Sequence, residues 1–144
     1  MPVGIHDHRY FVILRGLAGS VRNTTYEEFP LGQYGGTVLN KWAFESRITN
    51  ESPRIERLAS RALVQTSEEF LTWSSITSLT HWQLHNIDCD GPAAWLVSES
   101  SRIDKPSTTL YTVADQVNLE GLYGEFESAE SVRDHVREFA RIFN

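Results

Sequence analysis

The chain is poor in cysteine, lysine and long hydrophobic runs. It has one cysteine, Cys89, and two lysines, Lys41 and Lys105. A lone cysteine excludes an intramolecular disulfide, and with it the stapled scaffold of a small secreted domain. Asp88 and Asp90 flank it and disfavour a thiolate, so no cysteine nucleophile is expected. The longest apolar run, Tyr10-Phe11-Val12-Ile13-Leu14, is far short of the roughly 18 residues that span a bilayer. Residues Met1 to Arg9 lack the basic and apolar stretches of a secretory leader, so a cytoplasmic location without membrane contact is expected. Gly-x-Ser-x-Gly, Walker, Gly-x-Gly-x-x-Gly, His-Glu-x-x-His and Cys-x-x-Cys motifs are all missing, which removes the strongest catalytic signatures. No catalytic residue is assigned, and neither a cofactor nor a metal is expected.

What remains is ordinary in composition: 144 residues, 40% hydrophobic and 22% charged, consistent with one domain over 1–144 that buries its own core. The net charge of −6 is unevenly placed. Residues 1–66 carry eight Lys/Arg and six Asp/Glu, whereas residues 67–130 carry two and eleven. Such a field repels nucleic acid and attracts basic partners.

The pattern predicts an α+β domain, with a largely antiparallel sheet of six to seven strands and two amphipathic helices packed on one face. The first helix, over about 53–64, is signalled by Ser52-Pro53 and by Ile55, Leu58, Ala59, Ala62 and Leu63 at helical spacing. The second, over about 129–143, is capped by Ser128 and striped by Val132, Val136, Phe139, Ala140 and Phe143. Strands are expected at 9–15 (central, covered on both faces), 38–48, 76–87, 93–99, 108–114 and within 117–126. Residues 70–75 are ambiguous.

Four histidines attract attention. His6 and His8 bracket Asp7, and His81 and His85 are four apart. On one strand that second pair would span roughly 13 Å, too far for a shared ion. A metal site would need His6 or His8 to reach across to one of them, with Asp88 or Asp90; hydrogen-bonded or surface histidines are the expectation. Arg54, Arg57 and Arg61, and Arg133, Arg137 and Arg141, would run along helix edges as solvated charges.

The functional expectation is a non-enzymatic, acidic protein-binding module, such as an inhibitor or immunity-type protein or a component of a larger phage-like assembly. Its partner would present a basic surface to Asp88, Asp90, Glu125 and Glu127. The alternative is a small-ligand-binding protein or cofactor-free enzyme, with Trp and Tyr lining a pocket on a curved sheet. A cavity of roughly 300 Å³ with converging polar groups would favour it.

Overall fold

The computed structural model describes residues 4–45, 54–101, 107–117 and 128–143. Their strands are β1 (Ile5–His6), β2 (Val12–Ala18), β3 (Val21–Phe29), β4 (Thr37–Glu45) and β5 (Arg54–Arg57). There follow β6 (Arg61–Leu71), β7 (Ile76–Leu79), β8 (Leu84–Asp88), β9 (Ala94–Glu99) and β10 (Thr108–Thr112), with a helix α1 (Ala129–Phe143). No helix among them is long and apolar enough to cross a membrane.

All pairings are antiparallel. The larger sheet runs β10-β1-β8-β3-β6-β4-β5, and β10 also pairs with β4. Six strands therefore close into a ring, with β5 beside β4. The smaller sheet, β7-β2-β9, packs against the ring through Val12, Leu14 and Leu79, which meet Val21 and Leu71 in one buried cluster. A second cluster, Leu39, Leu63, Leu84 and Tyr111, fills the ring with Ile5 and Tyr26. Tyr111 on β10 donates its hydroxyl to Glu28 on β3, three strands away in either direction, so this contact spans the interior. Each of these leucines contributes about 1.5–3 kcal/mol by leaving water.

The α+β expectation is overturned: this is an antiparallel β-structure of two sheets. The stretch expected to be the first helix contains β5 and the start of β6 instead. Strand β6 pairs with β3 from Ala62↔Phe29 to Leu71↔Val21, and its neighbours Ala62 and Leu63 are both buried because both faces are covered. Adjacent apolar residues on a doubly covered strand imitate one face of a helix, and long-range pairing overrides the local signal. Helix α1 is capped by Ser128, whose Oγ accepts the Ser131 N–H at 3.1 Å. Its stripe does not lie on a sheet at Val136, which is 62% exposed.

Other strands moved for physical reasons. The apolar run at 9–15 becomes β2, which alternates rather than being buried twice: Val12 and Leu14 are buried while Ile13 is 39% exposed. Gly16 lets β2 approach the β6–β7 turn, since a Cβ there would sit 2.1 Å from the Thr72 carbonyl oxygen. Residues 76–87 form two strands in different sheets, separated by a turn in which Gln83 N–H donates to Thr80 O. The strand expected within 117–126 falls outside the described residues except at its first position.

Candidate metal centre

Register brings distant histidines together. His6 on β1 pairs directly opposite His85 on β8. Directly opposed residues in an antiparallel pair hold their Cβ atoms roughly 5 Å apart, on the same face. His8 lies two residues beyond His6, the spacing that returns an extended chain to one side. The three rings accordingly lie within 4.9 Å of one another, centroid to centroid. One possible ligand atom from each lies within 4.8 Å of the others. Among the described residues this is the group of histidine, cysteine and acidic side chains able to hold an ion.

The hydrogen bonds fix which nitrogens face inward. His6 Nδ1 lies 2.8 Å from the Gly4 carbonyl oxygen, which only accepts, so Nδ1 carries the proton and Nε2 keeps a lone pair. His85 Nδ1 lies 2.8 Å from Asn23 Oδ1. Asn23 presents its oxygen there because its amide nitrogen donates to Glu69 Oε1 at 2.8 Å. His85 therefore also directs a bare Nε2 inward, where it accepts the His8 Nε2–H at 2.7 Å; His8 would move that proton to Nδ1 on taking up an ion. On His6 and His85 the inward nitrogen is thus backed by a hydrogen bond from the other ring nitrogen, which is how metal-binding histidines are oriented.

Burial favours the neutral form of His6 and His85. Burial, with His6 and His8 adding to it, pushes His85 down to about 3. Burial also holds His6 below its usual value, outweighing the Gly4 carbonyl and Asp7, which act the other way. Neutral imidazole is the form a metal requires. Three nitrogen ligands are the protein's share of an open tetrahedral site. Tetrahedral coordination at about 2.0 Å sets nitrogen–nitrogen separations near ~3.3 Å, so the His8–His85 contact would open by about 0.6 Å.

The residues singled out from sequence are scattered. His81 lies on the β7–β8 turn against the Trp82 ring, away from the cluster. Asp88 ends β8 and receives Arg22 at 2.5 Å, which holds its carboxyl below the usual range. Asp90 is exposed in the following loop, and neither acid joins the histidines. Glu125 and Glu127 lie outside the described residues. Arg54, Arg57 and Arg61 share no helix edge: Arg57 on β5 reaches Asp115, and Arg61 on β6 reaches Glu28. Sequence reasoning missed Asn23 and Glu69, the polar backing of His85; only the register of β3 with β8 and β6 reveals them. No protein-family model matches the chain, and no curated protein or solved structure matches it either.

Proposed function

We propose that this domain binds one borderline transition-metal ion, Zn²⁺ foremost, through Nε2 of His6, His8 and His85. The supporting observation is the inward convergence of imidazole nitrogens whose opposite nitrogens on His6 and His85 are already committed to carbonyl oxygens. Imidazole suits Zn²⁺, Cu²⁺ and Ni²⁺, and rules against hard oxygen-seeking Mg²⁺ or Ca²⁺. The fourth position is left for water or a small anion, where the ion would act as a Lewis acid. Two ligands come from the β1 segment and one from β8, so the ion also ties the shortest strand of the ring to its neighbour.

The acidic-partner reading draws less support. Asp88 is matched by Arg22, which also lies within electrostatic reach of Asp90.

Calorimetric titration of tag-free protein with Zn²⁺ tests the metal reading. One ion per chain is expected, lost in His85→Ala and retained in His81→Ala. Absence of saturable binding, or equal binding by the His85→Ala variant, would overturn it.

A further inference from the structure

A second site, with no histidine in its lining, is a cleft of about 280 Å³. That is close to the lower bound for small-molecule pockets, enough for one or two fused rings. Tyr26, Trp82 and Tyr111 line it, giving flat apolar surface.

The polar groups decide what such a ring must carry. Glu28 is nearly saturated as an acceptor: Oε1 takes Arg61 Nε at 3.0 Å, and Oε2 takes both Lys41 Nζ at 2.6 Å and the Tyr111 hydroxyl. Asp7 is 4% exposed, and its Oδ1 already accepts the Thr109 N–H at 2.7 Å. Lys41, by contrast, spends one of its three ammonium hydrogens on Glu28 while lining the cleft. Lys41 is therefore the donor the cleft offers, and Glu27, exposed on the same cleft, is the acceptor.

Charge narrows the class further. Asp7, Glu27 and Glu28 line the cleft with Lys41, and Arg61 reaches Glu28. Three acids against two bases leave a negative balance that repels an anion. A cation would compete with Lys41, which already sits over the Tyr111 ring at 5.7 Å and on Glu28. We propose that the cleft binds a small, uncharged, planar molecule, its carbonyl oxygen accepting from Lys41 and its ring lying against Tyr26 and Trp82.

The test uses three planar probes of one shape and different charge: benzamide, benzoate and benzamidinium, titrated against isotope-labelled protein by amide and indole NMR shifts. Benzamide should bind at least about tenfold more tightly than either charged probe, moving the Trp82 indole signal. Lys41→Met should weaken it by about tenfold, the loss of one hydrogen bond to a charged donor. Trp82→Ala guards against misfolding, because Trp82 is 64% exposed on a turn, and it should weaken benzamide several-fold. Tighter binding of a charged probe, no saturation by benzamide, or unchanged benzamide affinity in Trp82→Ala would each overturn the proposal.

Discussion

The inside of the strand ring and the layer around β1 and β8 both bury polar side chains, but they balance them differently. Inside, Glu28 is an anion surrounded by donors: Lys41, Arg61 and the Tyr111 hydroxyl. The charge and acceptor capacity of Glu28 are met by the chain itself. At β1 and β8, three imidazoles face one another, while Asp7, within electrostatic reach of His6, accepts the Thr109 N–H. His6 and His85 both direct lone pairs inward, and the 2.7 Å contact with His8 satisfies only part of that acceptor capacity. Donors gathered on Glu28 make a finished network, whereas two bare imidazole nitrogens and one shared proton ask for a cation in the proton's place.

Breaking the finished network should have the largest effect. Glu28→Ala leaves Lys41, Arg61 and the Tyr111 hydroxyl without their shared acceptor. Unpairing a buried charge costs roughly 3–5 kcal/mol. Glu28 is 26% exposed, so about 3 kcal/mol is expected in urea denaturation. Metal should act on the other region alone. At a hundredfold excess over its dissociation constant, Zn²⁺ should stabilise the wild type by about 2.7 kcal/mol. The same increment should persist in Glu28→Gln and vanish in His8→Ala, because well-separated sites add independently.

Acid should also act through the histidines, and through the folded state. The unfolded chain takes up a proton on His85 near the ordinary 6.5, while the folded chain resists until about 3. The unfolded state therefore binds more protons between these values, and stability rises with pH there. The contribution is complete above 6.5 and is lost as pH falls from 6.5 towards 3, with His6 acting in the same direction. Urea midpoints of the metal-free protein at pH 7.5 and 4.5 should differ more for the wild type than for His85→Gln. Equal differences would erase the contrast between the two regions.

The smallest effect is expected at Asp88. Its bridge to Arg22 is exposed and screened, so Asp88→Asn should leave the urea midpoint unchanged within error and leave Zn²⁺ binding intact. A shift comparable to that of Glu28→Ala would show that the outer layer depends on charge after all.

Much of the strand pattern was readable where β-branched and aromatic residues gather. The strands expected at 38–48, 93–99 and 108–114 overlap β4, β9 and β10. Strand β3 was not legible, because Asn23, Thr24 and Thr25 are consecutive polar residues that are all buried. Cross-strand partners satisfy two of them: His85 and Glu69 bond Asn23, and Thr66 and Ser67 bond Thr25. No hydropathy period records that. The stretch at 54–63 failed in the opposite way, since its helical spacing was real and its long-range partner invisible. Of the candidate site, His6-x-His8 carried the local half of the signal, two imidazoles on one side of an extended chain. The other half, His85 opposite His6, depends on register across 79 positions of sequence, which local pattern does not encode.

The metal claim is tested most directly by anomalous diffraction at the zinc edge from crystals of the Zn²⁺-loaded protein. One peak is predicted between β1 and β8, about 2.0 Å from Nε2 of His6, His8 and His85, with Nδ1 of His6 and His85 still on Gly4 and Asn23. A zinc peak elsewhere, at His81 or on a surface acid, with the three imidazoles left unmetallated, would contradict it.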